Sequence, residues 1–89
     1  MVGRREKFQI IDDILNLLME KGKVKITHIL YGSNLSYDRL KVYIEELKEN
    51  QFIEIVKEKD KTLYKITDKG LKLISETKKF KEMMDAFGI

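Results

Sequence analysis

Apolar residues recur at helical spacing near the start of the chain, at Phe8, Ile11, Ile14, Leu15 and Leu18, with Ile10 and Leu17 widening the stripe. The pattern predicts an amphipathic helix over residues 4–20. Lys21-Gly22 is its natural stop, because Gly22 can take the left-handed conformation that closes a helix. A second, shorter apolar set at Ile26, Ile29 and Leu30 predicts a short helix closed by Tyr31-Gly32. The turn-rich stretch Ser33-Asn34-Leu35-Ser36 follows and ends on a good N-cap residue. From Ser36 onward, Tyr37, Leu40, Tyr43, Ile44 and Leu47 mark one face of a third helix, with Asp38 placed to suit the dipole of its first turn.

After Asn50 the period changes from helical to alternating. Phe52-Ile53-Glu54-Ile55-Val56 and Leu63-Tyr64-Lys65-Ile66 are rich in β-branched and aromatic residues, and the polar segment from Lys57 to Thr62 between them predicts a β-hairpin. Val24, between Lys23 and Lys25, can supply a short third strand. Thr67 or Asp68 then caps a final helix carrying Leu71, Ile74, Phe80, Met83, Met84 and Phe87, with Gly70 weakening helix propensity near its start. The expected fold is mainly α with a small β-hairpin. The order of helix, short helix, turn, helix and hairpin is that of a winged helix-turn-helix domain with a basic N-terminal arm (residues 1–68), followed by an added C-terminal helix (residues 69–89).

Composition narrows the function classes. At 89 residues the chain is expected to form one domain, and 43% hydrophobic with 37% charged residues is too apolar for disorder and too charged for a membrane span. The chain has no cysteine, which excludes disulfides, thiolate metal sites and cysteine nucleophiles. No apolar signal-peptide core follows the first residues, so a soluble cytoplasmic, nucleoid-associated protein is expected. The single histidine, His28, has no partner at metal spacing, and neither Ser33 nor Ser36 sits in a nucleophile motif. We therefore expect no enzyme activity, no cofactor, no metal and no small-molecule ligand.

The net charge of +3 is modest, but its placement is uneven. Positive charge gathers in the arm (Arg4, Arg5, Lys7) and in the hairpin, with a net acidic stretch between them. A helix fits the major groove and a basic hairpin beside it can reach phosphates. The expected partner is thus double-stranded DNA, and the candidate contacts are Arg4, Arg5, Asn34, Ser36, Tyr37, Arg39, Lys41, Lys57, Lys59 and Lys61. The three wing lysines would share one strand face if no tight turn interrupts them. Several candidates have a structural alternative: a frayed arm, a solvated hairpin tip, Tyr37 packed on the core, Asn34 capping or ordering the turn. The outward positions of the third helix, Asp38, Lys41, Val42, Glu45 and Glu49, include three acids. Contact through the helix start alone would accommodate them. They also leave open a second use of the domain, as a protein-interaction module.

The stretch Ile29-Leu30-Tyr31-Gly32-Ser33-Asn34-Leu35-Ser36-Tyr37, with Tyr43-Ile44, Leu47, Phe52-Ile53 and Tyr64-Lys65-Ile66-Thr67-Asp68-Lys69-Gly70, resembles the archaeal winged-helix proteins of the Sso10a type, within a broader set of predicted archaeal transcriptional regulators. The resemblance implies double-stranded DNA binding by a dimer whose final helices pair as an antiparallel coiled coil. In Sso10a-type proteins that helix runs further, whereas here the sequence stops at Ile89, which implies a shorter helical contact. Independently of the resemblance, Leu73, Thr77, Phe80, Met84 and Phe87 step by four and three residues along the last helix, as a dimerisation seam would. The alternative is a single broad face packed on the same chain.

Overall fold

The computed structural model describes residues 2–89, with side chains described from Lys7 onward. Four helices and one hairpin follow in the expected order: α1 (Val2–Lys21), α2 (Ile26–Ser33), α3 (Tyr37–Glu49), β1 (Ile53–Glu58), β2 (Lys61–Ile66) and α4 (Asp68–Ala86). The fold is a mainly helical winged helix with a C-terminal helix.

The boundaries follow from local chemistry. Gly22 takes φ 86° just past α1, and its N–H donates to the Leu18 carbonyl at 2.8 Å. Ser36 is the N-cap of α3, its hydroxyl accepting from the Arg39 N–H at 3.3 Å. Thr67 caps α4 in the same way, accepting from the Gly70 N–H at 3.1 Å. The end of α3 is less conventional. The Gln51 N–H donates to the Lys48 carbonyl (2.9 Å) and the Phe52 N–H to the Leu47 carbonyl (2.9 Å), a Schellman closure with Gln51 at φ 65° where glycine is usual.

The core forms where the apolar faces of α1, α2 and α3 meet the base of the hairpin. Ile10, Ile14, Leu15, Leu18, Val24, Ile29, Leu40, Ile44, Leu47 and Ile53 are buried, and no polar or charged side chain is buried among the described residues. Val24 contributes one antiparallel bridge, exchanging both hydrogen bonds with Tyr64 (3.1 and 2.8 Å). The anticipated third strand is therefore a single residue that fastens the α1–α2 connection to the hairpin.

Two apolar positions of the helical patterns lie outside the core. Phe8 is 69% exposed. It lies far around α1 from Ile10 and Ile14, on the side of Ile11 and Leu15, where it lines a cleft toward α4. Leu71 is also exposed, while Leu73 and Ile74 pack against the core. The first turns of α4 thus use a different face from the one Leu71 would select.

The joint between α3, the hairpin and α4 is tightly built. The Thr67 N–H donates to the Phe52 carbonyl (3.0 Å), the Thr67 hydroxyl to the Gln51 carbonyl (2.6 Å), and the Lys69 ammonium to the Asn50 carbonyl (2.9 Å). The same ammonium lies 5.1 Å from the centre of the Phe52 ring, within cation–π range. At Gly70 a Cβ would collide with the Phe52 carbonyl oxygen and come within 2.6 Å of the Ile66 side chain, so only glycine fits. The residue that weakens α4 by propensity is the one that allows α4 to dock.

Candidate nucleic-acid interface

On α3, Leu40, Ile44 and Leu47 are buried, which turns the stripe Asp38, Val42, Glu45, Glu49 directly outward. Arg39 and Lys41 fall on the two flanks of that stripe, both exposed. Asn34, just before the helix, is the left-handed cap of α2 (φ 59°, ψ 37°) and is exposed. It orders the turn, the structural alternative considered for it. The Ser36 hydroxyl is engaged in capping, which fixes the backbone entry of α3. Tyr37, at the first position of α3, is 50% exposed and lies outside the core. Asn34, Ser36, Tyr37, Arg39 and Lys41 therefore cluster around the start of α3. The side chains of Arg4 and Arg5 lie outside the described residues.

The wing differs from expectation in one respect. The hairpin pairs Ile53 with Ile66 through Glu58 with Lys61, leaving Lys59-Asp60 as a two-residue turn. Lys59 sits at φ 56°, a conformation that favours glycine or asparagine. Directly paired residues share a face, so Lys57 lies with Thr62 on one face and Lys61 with Glu58 on the other. The expected single row of lysines is thus broken: Lys57, Lys59 and Lys61 radiate from the tip to both sides.

Pairing of the acids shapes the local potential. Glu58 pairs with Lys23 from the α1–α2 connection, and Glu54 lies 4.0 Å from Lys65 across the strands. Glu45 pairs with Lys48 one turn along α3 at 3.3 Å. Lys41, Lys57, Lys59 and Lys61 are exposed and make no ion pair among the described residues. Two carboxylates of the hairpin are therefore satisfied, while the cations at its tip and on the flank of α3 stay available to an external anion.

A second candidate surface lies at the other end of the molecule. A cleft of about 830 Å³ runs between the N-terminal half of α1 and the C-terminal half of α4, lined by Phe8, Thr77, Phe80, Met84 and Ile89 among others. It adjoins a smaller cleft of about 320 Å³ that reaches Leu73. The Lys81 ammonium bridges to the Asp12 carboxylate at 2.9 Å across it. Of the seam residues, Leu73 packs on the core and Thr77 and Met84 are half-buried, while Phe80 (60%) and Phe87 (74%) are exposed. Met83 adds exposed apolar surface that the seam does not include.

Val42 and Tyr31 lie outside the candidate contacts drawn from the sequence. Both are strongly exposed. The available signal was an apolar or aromatic side chain on the polar face of a short amphipathic helix. Among the described residues no helix is long and apolar enough to cross a membrane, and no group of side chains is arranged to hold a metal ion.

Comparison with known proteins agrees with this architecture. The chain is 34% identical over 83 residues to an uncharacterized protein of Methanocaldococcus jannaschii, covering 93% of this chain and 80% of that protein. Its structure is similar to the crystal structure of Sso10a-2, a DNA-binding protein from Sulfolobus solfataricus, with a TM-score of 0.72, 29% identity, and coverage of 88% of this chain and 80% of the other. The resemblance to Sso10a-type proteins drawn from the stretch around Tyr31-Gly32 thus holds in three dimensions. The fold also matches BpsR of Bordetella bronchiseptica, with a TM-score of 0.75 at 19% identity over 86% of this chain and 57% of that one. With helix-turn-helix, wing and terminal helix in place, and the winged helix-turn-helix family model matching residues 4–85, the chain belongs to the winged helix-turn-helix family.

Proposed function

We propose that this protein binds double-stranded DNA as a homodimer, with the start of α3 in the major groove and the wing against the backbone, and that it serves as a transcriptional regulator or a chromatin-like protein. The observation that carries the reading is a set of cations that make no ion pair among the described residues, Lys41 on the flank of α3 and Lys57, Lys59 and Lys61 at the wing. A cation free of internal pairing can release counterions from a phosphate without first breaking an ion pair. The similarity to Sso10a-2, a DNA-binding protein, supports it. The seam on α4 supports the dimer: Phe80 and Phe87 are exposed beside a cleft already lined by Met84 and Phe8, and a second copy would cover them.

Titration with random-sequence duplex at two salt concentrations tests the reading. Log affinity should fall linearly with log salt, with a slope of about −0.9 per neutralised phosphate. Replacing Lys57, Lys59 and Lys61 by alanine should weaken binding and flatten the slope. Absence of binding at low salt would favour the second use of the domain, as a protein-interaction module, which the outward Asp38, Glu45 and Glu49 support.

A further inference from the structure

Val42 stands on the stripe of α3 directly opposite the core and is 66% exposed. A β-branched apolar residue there gains little from packing and lowers helix propensity. Its neighbours define its surroundings. Asp38 precedes it by one turn on the same stripe, and Arg39 and Lys41 lie on the flanks. If α3 enters the major groove, flanking cations face the two phosphate walls and the outward stripe faces the base edges on the floor. On that floor the only apolar group is the thymine 5-methyl, and the natural partner of a carboxylate is the cytosine amino group. Asp38 is also repelled by phosphate, so the stripe disfavours rotated or laterally shifted docking.

Resting on the DNA-binding reading above, we propose that Val42 is a base-reading residue that seats against the 5-methyl of a thymine, with Asp38 accepting from a cytosine amino group nearby. Residues 38 and 42 are separated by about 6 Å along the helix axis. That is roughly two base-pair steps of about 3.4 Å, which sets the expected spacing of the two pyrimidines. Asp38 then ceases to be an obstacle to DNA binding and becomes a source of its selectivity. The protein reads sequence through α3 in addition to holding the backbone through the wing.

The test is selection of bound sites from a random duplex library, followed by replacement of each selected thymine with uracil, which removes only the methyl group. The selected sites should share a thymine with a cytosine about two positions away. One thymine-to-uracil change should weaken the wild-type protein about fourfold, the loss expected for one methyl-sized apolar contact. Val42→Ala should distinguish the thymine from the uracil duplex less than the wild-type protein does, and Asp38→Asn should lose the cytosine preference. Both positions are exposed, so circular dichroism should show the wild-type fold in each variant. A protein that binds duplex DNA with no base preference, or that binds thymine and uracil sites equally, overturns this inference while leaving DNA binding intact. A protein that binds no duplex at low salt overturns both.

Discussion

The two ends of the molecule handle apolar surface in opposite ways. Around α1, α2, α3 and the hairpin base, Leu18, Ile29 and Leu40 lose all contact with solvent, and the chain covers its own interior. Toward the end of α4, Phe80, Met83 and Phe87 remain exposed, Phe80 shares a cleft with Phe8, and among the described residues the pair Lys81–Asp12 bridges that cleft. That pair is partly exposed, and such bridges contribute about 0–1 kcal/mol, too little to substitute for packing. The first end is a finished core. The second is an apolar face left open, the one the proposed dimer would cover.

Four substitutions probe this contrast, in descending order of their effect on folding. Leu40→Ala, in the finished core, should cost about 2–5 kcal/mol, read from denaturant unfolding, because the cavity cannot collapse against three helices. Gly70→Ala, at the joint between the two ends, should cost about 1–3 kcal/mol through collision with the Phe52 carbonyl, outweighing the ~1 kcal/mol that alanine gains in helix propensity. A stabilised Gly70→Ala protein would show that the joint is looser than described. Lys59→Gly should stabilise by about 1 kcal/mol, raising the melting temperature by several degrees, because glycine takes the left-handed turn without strain. The same change should weaken DNA binding, since it removes a wing cation. Phe80→Glu should shift the folding stability of the single chain by no more than about 0.5 kcal/mol, yet light scattering should show loss of the dimer. If this variant remains dimeric, the seam on α4 is wrong and the contrast between the two ends has another cause.

Periodicity and capping residues made the element order legible. Ser36 and Thr67 act as the N-caps their residue types suggest, and Gly22 takes the left-handed conformation. What stayed hidden depends on contacts distant in sequence. Phe8 belongs by spacing to the α1 stripe, and only the position of α4 decides that it faces a cleft. Gln51 and Lys59 adopt left-handed conformations that no local preference announces, because hairpin register and the packing of Phe52 and Leu47 impose them. The turn at Lys59-Asp60 in turn breaks the row of wing lysines. At the start of α3 the candidate residues were legible as a group because the cap and the buried face of the helix fix their direction. The pairing of Glu58 with Lys23 was not, since 35 residues separate them.

The joint at Thr67, Lys69 and Gly70 has a consequence for how a pair of chains would meet a target. Because α4 is pinned to the end of α3 by three hydrogen bonds and a close backbone approach, no pliable linker separates the two helices to which pairing and reading are proposed. Two chains joined through α4 would hold their α3 helices like the points of a locked caliper. Such a pair accepts half-sites only at the phase it was built for, near one helical repeat of about 10–10.5 base pairs or a multiple of it. Half a repeat of inserted DNA would turn the second site to the far side of the duplex, out of reach of a joint that cannot twist to follow it.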